Sequence, residues 1–127
     1  MATGCTNSLI PILQAKNHQS AGLDIIEQES HLLMPGFNIV HTSINSKKVL
    51  KILKDYYVEL KLRSIAGQHN LLLAAGTIDN YYDACLCYEI FNFGPVPFAM
   101  EKGFAYIQVI YHQISRPNNI HYSLKTR

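Results

Sequence analysis

Residues 75–82 read Ala-Gly-Thr-Ile-Asp-Asn-Tyr-Tyr, and the fold and chemistry of the chain are best approached from this stretch. The pattern Gly-x-Ile-Asp-x-x-Tyr predicts a tight β-hairpin that carries an acid, Asp79, and an aromatic ring, Tyr82, three residues apart. A carboxylate within hydrogen-bond reach of a water can act as a general base. Taken alone, the stretch is equally compatible with a turn aspartate beside a packed tyrosine.

Short β-like segments separated by turn residues dominate the rest of the chain and predict an all-β sandwich or barrel. Residues 57–63 alternate apolar and charged side chains, as a half-buried strand does, whereas the apolar run at residues 71–74 predicts full burial. Residues 47–55 place apolar side chains at helical spacing, but the β-signals around them favour a strand there. The other predicted strands are residues 9–13, 23–26, 37–44, 85–91 and 105–111.

The composition predicts one globular domain, residues 1–127, in which about 113–127 form a C-terminal tail. No apolar run approaches the roughly 18 residues of a membrane span, and a net charge of +2 is too small to argue for nucleic-acid binding. We therefore expect neither a membrane nor a nucleic acid as partner. The first residues lack a basic region before an apolar core, which predicts a cytoplasmic or nuclear protein rather than a secreted one.

The three cysteines show no zinc-binding spacing. Cys85 and Cys87 are two apart, which on a strand puts their α-carbons about 6.5 Å apart on one face, a poor geometry for a disulfide. An odd count without a secretion signal predicts reduced thiols. Buried structural cysteine is favoured over a redox or metal-binding role.

Three further fragments carry polar residues that a ligand could use. Asp24 lies in Ala-Gly-Leu-Asp-Ile, a common pattern that also fits an aspartate in a turn at the edge of a strand. Ser64 follows Arg63 and predicts a helix N-cap. Gln108 lies in an otherwise apolar strand and needs polar partners if buried, which favours a position facing a polar site.

Together, these fragments and the 75–82 stretch resemble four sequence motifs of the trimeric dUTPases, the enzymes that cleave dUTP to dUMP and pyrophosphate. Asp24, Ser64, Asp79 and Gln108 are separated by 40, 15 and 29 residues, a spacing similar to that of the compact retroviral-type members. The resemblance covers about residues 15–112. By analogy with those members, it suggests a viral or virus-derived source.

The resemblance implies an all-β, jelly-roll (β-clip) barrel that forms a homotrimer with its sites between subunits. It implies that Asp24 supports Mg²⁺ through water, that Asp79 holds the sugar hydroxyl and orients the attacking water, and that Gln108 binds near both phosphates and water. Tyr82 is then expected to pack under the deoxyribose and exclude a ribose 2′-hydroxyl. The other substrate-binding residues implied are Arg63 and Ser64 at the phosphates, and Gly76 and Ile78 in the hairpin whose backbone reads uracil.

The chain departs from the family pattern at several positions. Ile65 replaces a small residue after the serine, and Phe104-Ala105 replaces a charged pair. Asp83-Ala84 stands where Arg-Gly is usual. The family's Gly-rich fifth motif, which closes over the triphosphate, has no counterpart, because residues 113–127 contain no glycine. We therefore expect the lid over the nucleotide to be absent, or rebuilt from Arg116, Tyr122 and Ser123.

Two classes of function remain after these observations. The first is a dUTP diphosphatase with reduced activity, which the retained Asp79, Tyr82 and Gln108 favour. The alternative is a catalytically inactive protein of the dUTPase fold that acts through a protein partner, or that binds dUTP or dUMP without turnover. The enzyme reading is slightly ahead, because a bare hairpin requires neither Asp79 nor Tyr82.

Overall fold

The computed structural model of the chain describes Cys5 and residues 12–123, and this part of the chain is built almost entirely of β-strands, which confirms the all-β prediction. The strands are β1 (Leu13–Ala15), β2 (Leu23–Ile26), β3 (His31–Leu33), β4 (Gly36–Asn45), β5 (Tyr56–Leu62), β6 (Leu71–Ala74), β7 (Thr77–Asp79), β8 (Cys85–Asn92), β9 (Phe98–Met100) and β10 (Ala105–Gln113). Two short helices accompany them, α1 (Ser46–Leu50) and α2 (Ser64–Gly67). Neither is long and apolar enough to cross a membrane.

The strands form three antiparallel sheets around one core. The largest sheet has the order β1-β2-β10-β5-β7, the second has the order β4-β8-β6, and β3 pairs with β9. Alternation along β5 and β10 sends every second side chain inward, so that Val58, Ile107 and Val109 are fully buried. The intervening residues of the large sheet therefore lie on its outer face, and this face carries the candidate site.

The prediction of a strand at residues 47–55 is wrong for the first part of this segment, which belongs to the helix α1. The side chain of Asn45 accepts a hydrogen bond from the backbone N–H of Lys48 at 2.8 Å and caps the helix. Lys51 adopts a left-handed conformation, φ 49°, and ends it. Helical spacing of the apolar residues was the correct signal, and the asparagine before them was the cap.

Two expectations about residues 71–82 also need correction. Leu72 is 53% exposed, so β6 is not fully buried; it lies at the edge of the β4-β8-β6 sheet and has one face in solvent. The predicted hairpin is a turn whose two arms pair elsewhere, since β7 pairs with β5 whereas β8 pairs with β4 and β6. The turn itself is present, and the backbone N–H of Tyr82 donates to the carbonyl of Asp79 at 3.1 Å.

The cysteines do not behave as predicted. Cys5 and Cys85 form a disulfide with their α-carbons 5.4 Å apart, so the expectation of reduced thiols is wrong for two of the three. Cys87 is free but exposed, which contradicts the expectation of buried cysteine. The predicted first strand, residues 9–13, lies mostly outside the described residues, and β1 begins at its last position, Leu13.

Candidate functional site

The outer face of the five-stranded sheet collects the residues that the sequence singled out on three different strands. Asp24 on β2 lies directly opposite Gln108 on β10, and Gln108 lies opposite Lys61 on β5. Asp79 on β7 lies opposite Tyr57 of β5. Directly opposed residues share a face of the sheet, so all of these side chains point to the same side.

Asp24 and Arg63 form the charged centre of this face. Arg63 Nε lies 3.2 Å from Asp24 Oδ1, and both side chains are partly shielded from solvent. A second guanidinium nitrogen, Nη1, donates to the carbonyl of Ala105 at 2.8 Å, while the backbone N–H of Arg63 donates to the carbonyl of Tyr106 at 2.8 Å. The guanidinium is therefore fixed between β2 and the start of β10.

A polar cavity of about 280 Å³ opens beside this ion pair. Gln108 forms part of its wall, and its amide nitrogen donates to the carbonyl of Leu62 at 3.5 Å. A cation, a hydroxyl and an amide converge on a space large enough for phosphate groups. The lining residues are Lys16, Ser20, Ala21, Gly22, Asp24, Arg63, Ser64 and Gln108.

Gly22 permits this arrangement by its lack of a side chain. A Cβ built on Gly22 would overlap the side-chain oxygen of Gln108, so any larger residue would push that amide out of position. Gly22 is itself buried. The glycine of the Ala-Gly-Leu-Asp fragment and the glutamine of β10 are thus parts of one packed unit.

Ser64 lines the cavity, but not as the N-cap that the sequence predicted. Arg63 occupies the cap position in an extended conformation, and Ser64 is the first residue of α2. No side chain caps this helix. Ser64 is exposed, so its hydroxyl is accessible from the cavity rather than committed to the helix terminus.

Asp79 lies apart from this cavity in the same chain. Its partner Tyr57 and the partner of Gln108, Lys61, are four residues apart on β5, and β7 and β10 flank β5 on opposite sides. With strand spacings of about 4.8 Å and a rise of about 3.3 Å per residue, the α-carbons of Asp79 and Gln108 are about 16 Å apart. One chain therefore does not bring the predicted base and the predicted amide to a common water.

Asp79 has its own cavity of about 180 Å³. The hydroxyl of Tyr81, a ring that is 64% exposed, donates to Asp79 Oδ2 at 3.2 Å. The amide of Asn80 donates to the carbonyl of Ile52 at 3.1 Å and holds the turn against the chain that follows α1. The cavity is lined by Lys54, Asp55, Tyr56, Asp79, Asn80, Tyr81, Ile114 and Arg116.

Tyr82 is partly buried and does not line the cavity around Asp79. Its hydroxyl donates to the carbonyl of Cys85 at 3.1 Å. Burial, and secondly the neighbouring thiol group of Cys87, raise the pKa of Tyr82 above its usual value. The ring is thus anchored at its hydroxyl end, and only its remaining surface is available for packing.

Gly76 and Ile78 hold β7 against β5. The backbone N–H of Leu60 donates to the carbonyl of Gly76 at 2.7 Å, and a Cβ on Gly76 would lie 2.8 Å from the carbonyl oxygen of Leu60. Ile78 pairs with Val58 and packs against the core. Both residues therefore have a structural role here, whatever they contribute to a ligand.

Three residues near the candidate site were not identified from the sequence. Lys16 lies in the polar cavity, and Lys54 and Tyr81 lie beside Asp79 together with Arg116. Tyr81 directly precedes Tyr82, so its place in the same turn was the available signal. The two lysines lie in loops outside any motif, and no local pattern indicates them.

The donor set at Asp24 fits only a hydrated cation. Among the described residues, no three His, Cys, Asp or Glu side chains come together as a metal cage. Mg²⁺ commonly keeps several waters and binds through one or two carboxylates and the phosphates of its substrate. Asp24, at the edge of a polar cavity, suits that kind of binding and not a site closed by protein ligands.

Comparison with known proteins agrees with the fold and with the family resemblance. The chain is 31% identical over 103 residues to the deoxyuridine 5′-triphosphate nucleotidohydrolase of fowlpox virus, covering 80% of this chain and 68% of the viral protein. No family model matches the chain.

Solved structures of viral and phage enzymes share the architecture. EIAV dUTPase superposes with a TM-score of 0.71 at 16% identity, covering 91% of this chain and 94% of the other. The dUTPase of Staphylococcus bacteriophage 80alpha gives 0.73 at 18% identity, covering 99% and 94%. A mutant dUTPase of phage phi11 of S. aureus, described for its coordination of a structural Mg(II) ion, gives 0.72 at 18% identity, covering 91% and 90%. By its sequence identity to the fowlpox virus enzyme and by its fold, the chain belongs to the dUTPase family.

Proposed function

We propose that the protein is a dUTP diphosphatase that hydrolyses dUTP to dUMP and pyrophosphate at sites shared between the subunits of a homotrimer. One observation carries the proposal. Asp24, Arg63, Ser64 and Gln108 line a single polar cavity, whereas Asp79 lies about 16 Å from Gln108 on the same outward sheet face. A second copy must supply the acid if all of these residues act on one substrate.

In this arrangement, each group has a distinct role. Arg63 and Ser64 bind the phosphate chain, since a guanidinium and a hydroxyl in a polar cavity suit phosphate oxygens. Asp79 of a neighbouring subunit binds the sugar hydroxyl and accepts the proton of the attacking water as general base. Gln108 positions that water near the phosphates. Gly76 and Ile78 hold the backbone that reads uracil.

Asp24 would hold Mg²⁺ through water at the edge of the polar cavity, next to the phosphates of the nucleotide. When bound, the ion neutralises charge on the phosphates and helps to orient them. Arg63 keeps Asp24 in place through the 3.2 Å contact and leaves its second oxygen available to water. The phage phi11 relative with a structural Mg(II) ion supports this part of the proposal only as an analogy.

The enzyme is proposed to be slower than its relatives because the phosphate end of the site is altered. Ile65, 54% exposed, and Phe104, 59% exposed, stand where the family has a small residue and a charged one. A bulky β-branched residue beside Ser64 restricts the approach of the backbone to phosphate. The missing charges at Phe104 and Ala105 remove electrostatic support for the reacting group.

One observation favours the alternative, a protein of this fold that acts by binding a protein partner. Ile65, Phe104 and Ala105 line one cavity of about 330 Å³, together with Phe98 and Tyr106. The substitutions therefore add to a mostly apolar surface next to the polar cavity. Glu101 and His69 also line this surface, and Arg63 lines both cavities. Apolar surface of this kind suits an aromatic or aliphatic side chain of a partner.

Subunit mixing tests the proposed function directly. Asp79→Asn and Gln108→Ala each leave every site of a homotrimer without one group, so both are expected to be nearly inactive in pyrophosphate release from dUTP and Mg²⁺. After the two variants are unfolded together and refolded in equal amounts, mixed trimers regain complete sites. Random assembly is expected to restore about a quarter of wild-type activity, because three quarters of the trimers are mixed and each contains one complete site.

The control for this experiment is the same mixture prepared without exchange of subunits. Activity in the exchanged mixture alone supports sites shared between copies. Wild-type activity without any recovery on exchange contradicts the shared site. No turnover by the wild-type protein contradicts the diphosphatase, and calorimetry with dUTP and dUMP then separates a nucleotide-binding protein from one that acts through a protein partner.

A further inference from the structure

Cys87 and His41 form a thiol–imidazole pair on the solvent side of the second sheet. The two residues are directly opposite each other on β8 and β4, and the sulfur of Cys87 lies 3.2 Å from Nδ1 of His41. Cys87 is exposed, and it is the one free cysteine of the three. A nucleophile in hydrogen-bond contact with a base is the arrangement that activates thiols.

We propose that Cys87 is a nucleophilic modification site that exchanges with small-molecule disulfides, with His41 as its general base. Nδ1 of His41 accepts the proton of the thiol, and the sulfur of Cys87 attacks one sulfur of the disulfide. A new S–S bond joins Cys87 to one half of the reagent, and the reagent's own S–S bond breaks. The other half leaves as a thiolate and takes the proton from His41, so the products are a mixed disulfide and one free thiol.

The neighbouring disulfide gives this site its particular chemistry. Cys85 lies two residues before Cys87 on the same face of β8, but its sulfur is bonded to Cys5. Cys87 therefore has no free thiol partner in its own chain. A pairing of Cys87 with Cys85 is disfavoured as well, because i and i+2 residues of a strand are about 6.5 Å apart at their α-carbons. A group transferred to Cys87 is expected to remain until an external thiol removes it.

The sulfur also contacts the backbone of its own strand. The thiol of Cys87 lies 3.9 Å from the carbonyl oxygen of Cys85, which accepts a hydrogen bond from the hydroxyl of Tyr82 at 3.1 Å. The sulfur thus lies beside both the imidazole and the strand, and it remains exposed to a reagent in solvent. This inference does not depend on the proposed diphosphatase, because neither His41 nor Cys87 lines the cavities around Asp24 or Asp79.

The experiment measures thiol reactivity in the purified full-length protein in its native assembly. The probe is 5,5′-dithiobis(2-nitrobenzoate), and the release of its coloured thiolate is followed at neutral pH. We expect one thiol per chain to react, and Cys87→Ser to abolish the reaction. His41→Ala and His41→Gln are expected to slow the native reaction at least about tenfold, since a positioned base typically contributes that much or more.

Two controls separate base catalysis from loss of structure. His112→Ala removes an imidazole that contacts Glu59 on the other sheet, so it is expected to leave the rate unchanged. In urea without reductant, the wild type and both His41 variants are expected to react at the same rate, because the pair no longer exists. Glutathione disulfide, followed by mass spectrometry, is expected to add one glutathione to Cys87.

Three results would overturn the proposal. The first is an equal native rate for the wild type and both His41 variants. The second is a Cys87 that reacts only after unfolding, which would show that the native assembly covers it. The third is a peptide map in which Cys87 is bonded to Cys5 and Cys85 carries the added group, which would assign the exchange to the internal disulfide instead.

Discussion

Replacing Glu27 is expected to make the protein more stable at neutral pH, because this carboxyl group is buried without a cation. Glu27 is fully buried, and the hydroxyl of Tyr88 donates to its Oε2 at 3.2 Å. Its Oε1 has no hydrogen-bond partner among the described residues and lies 3.9 Å from Nε2 of His31. Burial raises the pKa of Glu27 from 4.5 to about 8, against the lowering effect of the Tyr88 hydrogen bond and with a further increase from the charge of Glu29.

The size of the effect follows from the two pKa values. In the unfolded chain Glu27 loses its proton near pH 4.5, whereas in the folded protein it keeps the proton up to about pH 8. Between these values the folded state binds more protons, so the free energy of unfolding falls as the pH rises, by about 1.4 kcal/mol per pH unit. The stabilisation from the proton on Glu27 is fully present below pH 4.5. Relative to that limit, the free energy of unfolding is about 3 kcal/mol lower at pH 7 and about 5 kcal/mol lower above pH 8.

Glu27→Gln has nearly the same shape as the protonated acid but cannot ionise. We expect it to be up to about 3 kcal/mol more stable than the wild type at pH 7 and equal to it near pH 4.5. Urea unfolding at one fixed protein concentration, measured between about pH 4.5 and about pH 8, gives the difference directly. Glu89→Gln is the matched control, since Glu89 follows Tyr88 on β8 but is only half-buried. A difference between wild type and Glu27→Gln that does not change with pH would refute the reasoning.

The remaining predictions concern the turn and the disulfide. Asp79→Asn is expected to lower turnover of dUTP about 100- to 10,000-fold while the circular dichroism spectrum stays unchanged; near-normal pyrophosphate release would remove Asp79 from the mechanism. Tyr82→Ala is expected to lower the ratio of kcat/KM for dUTP to kcat/KM for UTP. An unchanged ratio would show that a residue other than Tyr82 distinguishes deoxyribose from ribose. Cys5→Ser opens a bridge that spans 80 residues, so it is expected to lower the free energy of unfolding by up to about 4 kcal/mol in urea titrations without reductant. Equal midpoints with the wild type would contradict a stabilising role for that bridge.

Strands with clear alternation were predictable from the sequence, and elements decided by a single cap or by distant contacts were not. The alternating segment at residues 57–63 became β5 because its apolar members face the core. The helix α1 was missed because it begins at a cap, the hydrogen bond that the side chain of Asn45 accepts from the backbone N–H of Lys48. The partial exposure of β6 was missed because an edge position is a property of the sheet order, which a local apolar run does not encode.

The same division applies to the candidate site. The motif residues Asp24, Ser64 and Gln108 were identified from the sequence. Cross-strand register places Asp24 opposite Gln108, and the start of α2 brings Ser64 to the same cavity. The surroundings of Asp79 were not predictable, because Lys54 and Arg116 lie beside it just outside the ends of β5 and β10. These ends meet through the pairing of Gln113 with Tyr56 and through the N–H of Ile114, which donates to the carbonyl of Asp55. Such contacts form between residues far apart in sequence and leave no local pattern.

The motif residues do not carry equal weight as signs of catalysis. Gly22 and Gly76 are required by close approach, of the Gln108 side chain in one case and of the Leu60 carbonyl in the other, so the fold alone accounts for them. The carboxylate of Asp79 is different. Among the contacts of the described residues, its oxygens accept only the hydroxyl of the exposed Tyr81. Since packing and backbone pairing do not need an acid at this position, Asp79 is the motif residue that the fold explains least, and it is the strongest single reason to test the protein for hydrolysis.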